Sequence, residues 1–415
     1  MTSEALPVDT AGPDPVARGL DAFLDAHLEE LITFRRHLHA HPERSRKEFE
    51  TTGSVVERLQ VAGLDARVLA SGTGALCDVG GGIDGPTVAL RADLDALGMA
   101  DTKHVPYRSV VPGVAHACGH DVHTTVVLGS GLALAHLFAT GPLPGTVRLV
   151  FQPAEEAVPG GALDVIADGG LDGVDWIFGV HCDPKLDVGR VGVRAGAITA
   201  AADLVTIRLR GPGGHTARPQ LTADLVDIAA RVVTVLPGAL RERAAPLGAL
   251  NLVFGAIQAG DAANVIPAFA ELRGTVRSPD RAAWDQAPAF LEEIVESIAT
   301  PRGATFEIDY SRGAPPVDND AAATAIFAAA ATDVLGPAQV VQTPQSQGGD
   351  DFSWYLEHVA GSYARLGVHD PDSDRGRLDL HSTDFDIDER AIAVGIRVLV
   401  TAAVRALRPP GPGPE

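Results

Sequence analysis

Apolar residues recur at helical spacing through Leu20, Phe23, Leu24, Leu28, Leu31, Phe34 and Leu38. The spacing predicts an amphipathic helix over residues 18–40, closed before Pro42. A second helix is expected over 55–63. Two β-rich runs follow, Ala75–Val79 and Thr87–Leu94, joined by Gly80-Gly81-Gly82-Ile83-Asp84-Gly85-Pro86. No Lys-Ser/Thr follows those glycines to make a phosphate loop, so they read as a hairpin connection. The apolar run Val126–Phe138 predicts a buried helix over 122–139. Strand 146–151, a helix from about 161 and strand 175–180 continue the alternation of a layered α/β domain.

Near residue 195 the texture changes. Strand 202–210, helix 221–236, strands 250–258 and 268–277, helix 282–299 and strand 305–310 follow in the order β-α-β-β-α-β. That order is a ferredoxin-like α+β sandwich. After Pro315-Pro316 the chain returns to Ala-rich helix, strands and a terminal helix over 388–407. The expected architecture is one α/β domain, 18–194 and 315–415, with a small domain of residues 195–314 inserted between its halves. Residues 1–17 and 408–415, rich in Pro, read as disordered tails.

Composition changes the picture little. The chain has 415 residues, 46% hydrophobic and 21% charged, with a net charge of −21. Two or more globular domains are expected, and nucleic acid or an anionic membrane is disfavoured as partner. No apolar run reaches the roughly 20 residues of a membrane span, and the first residues lack a signal-peptide pattern, so the cytoplasm is the expected location. Three widely spaced cysteines imply no disulfide framework.

The candidate chemistry begins at His116-Ala-Cys118-Gly-His120-Asp121. A thiol and an imidazole one residue apart at the mouth of a core helix read as half a metal site. A buried free thiol with satisfied histidines is the bland alternative. Glu155-Glu156 closes one strand, His181 ends the next, and His381 stands just before the terminal helix. Cys118, His120, Glu156, His181 and His381 exceed the four ligands of a single tetrahedral zinc and suit two cations. His37, His39 and His41 alternate and so share no helix face, which favours structural or surface roles. Asp93 is expected to orient a ligand imidazole from behind. Gly348-Gly349-Asp350-Asp351-Phe352 reads as a helix cap near the pocket rim.

Six motifs then carry a resemblance: Ala89-Leu-Arg-Ala-Asp93-Leu-Asp95-Ala-Leu, His116-Ala-Cys-Gly-His-Asp, Phe151-Gln-Pro-Ala-Glu-Glu, Gly213-Gly-His215, Asn264-Val-Ile-Pro and Gly274-Thr-Val-Arg277. In this order they resemble the co-catalytic metallopeptidase family of aminoacylases, hippurate hydrolases and plant auxin-conjugate amidohydrolases. The resemblance implies a three-layer α/β/α zinc-peptidase-like catalytic domain with an inserted lid or dimerisation domain, acting as a homodimer. It implies two divalent ions, zinc or manganese, with Cys118 bridging and His120, Glu156, His181 and His381 completing the set. Glu155 would be the general acid/base, and His215 would reach across a dimer to the oxyanion. Asn264 and Arg277 would bind the substrate carboxylate. Gly98, Thr216 and Gly349-Asp350 depart from the family pattern without touching a proposed ligand.

The expected activity is hydrolysis of the amide of an N-acyl amino acid to a carboxylic acid and a free amino acid. A dipeptidase or carboxypeptidase on the same site is the nearest rival. A Cys118 nucleophile with His120 as base, and an inactive binding protein of the same fold, are the others.

Overall fold

The computed structural model describes residues 15–141, 143–373 and 376–408. The tails expected at 1–17 and 408–415 therefore lie largely outside the described residues. Pro15–Ala17 already belong to the first helix.

The first half of the chain forms α1 (Pro15–Ala40), α2 (Phe49–Val61), β1 (Ala66–Val68), β2 (Ala75–Gly80), β3 (Thr87–Asp93), α3 (His120–Thr140), β4 (Thr146–Gln152), α4 (Ala162–Ala167), β5 (Trp176–Asp187) and β6 (Val191–Val193). A short strand β7 (Gly196–Ala197) leads into β8 (Ala201–Arg210), β9 (Gly214–His215), α5 (Leu225–Ala244), β10 (Asn251–Ala259), β11 (Val265–Ile266), β12 (Phe269–Ser278), α6 (Arg281–Ala299) and β13 (Thr305–Ser311). The return consists of β14 (Asp318–Asn319), α7 (Ala321–Leu335), β15 (Val340–Gln342), α8 (Ser353–Leu356), β16 (Ala360–His369) and α9 (Arg390–Leu407).

An eight-stranded sheet in the order β1-β2-β4-β3-β5-β16-β6-β15 draws strands from both halves of the chain. Successive residues of its strands face opposite sides. Leu90, Leu149 and Phe178 enter a core with α1, α3, α7 and α9, while Ala89, Val150 and Ile177 enter a smaller one with α4 and α8. These are the three expected layers. The second sheet, β10-β12-β8-β13, is antiparallel throughout. It buries Val205, Ile207 and Leu209 against α5 and α6 in a core of its own, the ferredoxin-like order read from the sequence.

Four expectations need correction. β2 and β3 are not a hairpin, because β4 lies between them, antiparallel to β2 and parallel to β3. β3 is buried along nearly its whole length and takes parallel partners on both edges, β4 and β5. The helix placed at 221–236 is capped instead by the Asp224 side chain and runs past Pro237 to Ala244. His181 does not end its strand, since parallel pairing with β16 carries β5 on to Asp187. Finally, α3 spans 21 residues and is long and apolar enough to cross a membrane. It is instead the central helix of the larger core, packed against α1 and α9, with His120, Asp121 and His123 buried in its first turn.

Candidate metal centre

The parallel strands β3, β4 and β5 deliver their C-terminal ends to one edge of the sheet, where such folds gather their sites. Beyond β4 the chain turns sharply through Ala154, a non-glycine residue at φ 52°. A residue in this region costs about 1–3 kcal/mol and persists only when its surroundings hold it. Here Glu48 Oε1 accepts from the Ala154 N–H at 2.8 Å. Asp95 completes the clamp, taking the N–H of Glu155 on Oδ1 and that of Glu156 on Oδ2, each at 3.0 Å. Two adjacent carboxylates are thereby fixed at the head of the sheet.

The loop before α3 brings Cys118 and His120 to the same place. His120 Nδ1 lies 2.9 Å from the Asp95 carbonyl, which turns Nε2 toward the cluster. His181 Nδ1 lies 2.7 Å from the Cys182 carbonyl, and its Nε2 sits 3.5 Å from Cys118 Sγ. His381, at φ 60°, is tied through its N–H to the Ala117 carbonyl and sets Nε2 3.1 Å from Glu156 Oε1. Donor atoms of Cys118, His120 and His181 lie within 4.8 Å of one another, as do those of Cys118, Glu156 and His381. All five sequence-predicted ligand positions therefore meet, and Cys118 is common to both triads.

The donor set fits two divalent cations. His120 Nε2 is buried with no hydrogen-bond partner, facing Asp93 Oδ2 at 3.8 Å and Glu155 Oε2 at 3.9 Å. Thiolate, imidazole and carboxylate together suit zinc and leave manganese open. The surroundings are strongly anionic. Burial first, then the nearby Asp350, Glu156 and Asp351 charges, push the Glu155 carboxyl well above the usual carboxylate range. Burial raises the Cys118 thiol to about 12. A divalent cation is what such a pair lacks.

Asp93 stands beside the candidate ligand His120, its Oδ2 3.8 Å from Nε2, while its hydrogen bond goes elsewhere. Its Oδ1 takes His123 Nδ1 at 2.7 Å, and His123 Nε2 in turn accepts the Cys182 N–H at 2.8 Å. Asp95 holds the His120 imidazole, with its carbonyl 2.9 Å and its Oδ1 3.3 Å from Nδ1. Asp350 caps no helix: its side chain accepts the Phe352 N–H at 2.9 Å, and Asp350 and Asp351 line the cleft beside Glu155. His39 is buried against Asp121, Nδ1 to Oδ2 at 2.7 Å, whereas His37 and His41 are exposed.

A cleft of about 830 Å³ opens over the cluster, between the sheet edge and the second domain. Arg277 reaches it and donates from Nη1 to the Gln347 carbonyl at 2.6 Å. His215 and Asn264 do not line it. They sit on the paired strands β9 and the loop before β11, exposed, with the Thr216 N–H donating to the Asn264 carbonyl. Three residues of the site escaped the sequence reading: Asp95 as a clamp, Glu48 as the support of Ala154, and Arg365 in the cleft wall. The Asp93-Leu-Asp95 motif was a signal for the first, and the sequence carries none for the other two.

Residues 89–405 match the family described as "Peptidase family M20/M25/M40". A Rhodococcus jostii protein carrying the name glutamate–cysteine ligase 2-3 is 47% identical over 372 residues, which cover 90% of this chain. The chain spans only 46% of that relative's length. A Bacillus subtilis N-acetyl-L-cysteine deacetylase is 38% identical over 379 residues, 91% of this chain and 88% of the relative. The crystal structure of the Bacillus subtilis YXEP protein, described as a dinuclear metal binding peptidase, superposes with a TM-score of 0.81. It is 34% identical, covering 92% of this chain and 99% of that one.

Proposed function

The chain belongs to peptidase family M20/M25/M40, and from that premise we propose that it hydrolyses the amide bond of N-acyl amino acids, with two divalent cations as cofactors. The observation that carries this reading is the meeting of Cys118, His120, Glu156, His181 and His381 around a common space, with Glu155 beside it. These five residues would hold the two ions. When bound, such ions supply Lewis acidity, polarising a carbonyl and acidifying water. Relatives named N-acetyl-L-cysteine deacetylase and N-acyl-L-amino acid amidohydrolase support the substrate class.

Glu155 is the proton carrier in this reading. Its carboxylate takes a proton from the attacking water and returns it to the amide nitrogen as the C–N bond breaks. The backbone clamp on Asp95 keeps that carboxylate facing the cleft. Arg277 holds the substrate carboxylate by its guanidinium fork; Asn264, exposed beside the His215 turn and away from its own chain's cleft, would assist from a partner subunit. His215 lies away from its own chain's cleft, which supports action on the oxyanion of a partner subunit. The edge strand β10 supports the dimer: Val253 is 65% and Ile257 50% exposed on a strand with one free side. Three free cysteines fit a reducing compartment, the cytoplasm, as its place of action.

The test is Glu155→Gln. Turnover of an N-acetyl amino acid should fall by about 10²- to 10⁴-fold while two metal ions per chain are retained. A rate within tenfold of wild type would remove Glu155 from the role. Mixing Glu155→Gln with His215→Ala protomers should restore activity in mixed dimers. Verified mixed dimers without recovery would place His215 in cis.

A further inference from the structure

Among the described residues, three arginines have nearly fully buried side chains in or behind the site, and two are neutralised by the fold. Arg35 faces Asp121 at 2.7 Å and Glu389 at 3.4 Å. Arg91 faces Asp93 at 2.6 Å and Asp351 at 2.9 Å. Arg365 is only 8% exposed, yet no carboxylate among the described residues pairs with it. Its side-chain hydrogen bond runs from Nη2 to Ser346 Oγ at 3.2 Å. A buried charge without a partner is costly, and proteins rarely leave one so.

The position of Arg365 says where the missing anion belongs. Arg365 lies on β16 directly in register with His181 on β5, so the two side chains share one face of the sheet. Both line the cleft. On its other side Arg365 pairs with Gly192 of β6. A Cβ at Gly192 would stand 3.2 Å from the Arg365 Cβ and 3.0 Å from that of Thr343. The glycine therefore leaves the slot through which the guanidinium reaches the cleft. Arg277, from the second domain, is the other cleft guanidinium with no carboxylate partner among the described residues.

We infer that Arg365 binds a second carboxylate of the substrate, so that the cleft prefers N-acyl amino acids bearing two carboxylates. Arg277 receives the α-carboxylate, as proposed above, and Arg365 receives the other, deep beside His181. The second group belongs either to a dicarboxylic acyl chain or to an acidic amino-acid side chain. Both present the same planar anion to a guanidinium fork. The inference rests on the amidohydrolase reading for its substrates, and its test has an arm that does not need turnover.

The experiment compares N-acetyl-L-alanine, N-succinyl-L-alanine and N-acetyl-L-aspartate on the metal-loaded enzyme. In wild type, kcat/KM for at least one dicarboxylate exceeds that for N-acetyl-L-alanine; which one identifies the source of the second carboxylate. Arg365→Leu lowers that preference ratio about 10- to 100-fold, the worth of a charge-assisted hydrogen-bonded pair, chiefly through KM. Arg365→Lys recovers part of it. Calorimetry on Glu155→Gln, with and without Arg365→Leu, measures binding of the same compounds in the absence of hydrolysis. If wild type hydrolyses none of them while dicarboxylate binding still depends on Arg365, the amidohydrolase reading falls and the subsite stands. An equal loss on all three compounds, a loss confined to N-acetyl-L-alanine, or binding indifferent to Arg365 overturns the inference.

Discussion

Arg91 ties the carboxylates behind the site to one another, and its removal has a calculable cost. The side chain is 1% exposed and uses its whole fork: Nε to Gln152 Oε1 at 2.8 Å, Nη1 to Asp93 Oδ2 at 2.6 Å, Nη2 to Asp351 Oδ1 at 2.9 Å. Arg91→Met preserves much of the volume and leaves two carboxylates buried without their counter-charge. The two losses are unequal. Burial already drives the Asp351 carboxyl upward, so it takes up a proton cheaply. Its oxygens also keep the Gln152 amide and the Ala162 N–H. Asp93 is held far below its ordinary value, against its burial, by His120, His123 and Arg91, and it bears most of the cost. Breaking a buried pair by removing one partner costs about 3–5 kcal/mol, and that is the expected loss in urea unfolding of the metal-free protein at unchanged m-value. Asp93→Asn in the Arg91→Met background should return part of the loss, because the Asn oxygen still accepts from His123. Arg91→Lys should recover less than the parent stability, since a point charge cannot serve three acceptors at fork geometry. An Arg91→Met protein within 1 kcal/mol of wild type (about fivefold in the folding constant) would refute the argument.

Two further perturbations test the frame around the cluster. Asp101 accepts from the Ser109 and Lys103 N–H groups, and its Oδ2 lies 3.4 Å from both His39 Nε2 and Lys103 Nζ. Burial would raise its carboxyl, but these donors hold it below its ordinary 3.8. Its stabilisation is therefore complete above that value and is lost as pH falls below it, where the unfolded chain binds the proton first. Asp101→Asn should cost about 1–3 kcal/mol at pH 7, with the gap from wild type narrowing in urea titrations near pH 3; a gap constant with pH would count against the assignment. Gly119, between Cys118 and His120, has φ 90°, and a Cβ there would stand 2.8 Å from Cys182 Sγ. Gly119→Ala should destabilise the metal-free protein by about 1–3 kcal/mol and lower the metal retained after dialysis. Wild-type stability and metal content would show that the turn has another way to form.

How far the sequence could be read depends on which contacts are local. The strands of the second domain were legible because one face meets water, and β8 alternates buried and less buried positions along its length. β3 has no such face, so nothing in its own residues names its neighbours, and a glycine-rich linker suggested the wrong one. The five candidate ligands were legible because thiol, imidazole and carboxylate recur in a fixed order along the chain, although His181 lies within β5 and not at its end. The groups that hold them were not. Glu48 and Asp95 act on backbone N–H groups of residues 154–156, and a backbone donor has no sequence signature. Arg365 is the extreme case. An arginine in a chain with 33 basic residues reads as surface, and only the fold reveals that it is buried and that the carboxylates beside the other two buried arginines are committed to them. Asp93, Asp121 and Asp351 are each claimed by Arg35 or Arg91. Arg365, the charge left over after that pairing, stands in register with His181 on the cleft face of the sheet, where the ligand carboxylate inferred above would meet it.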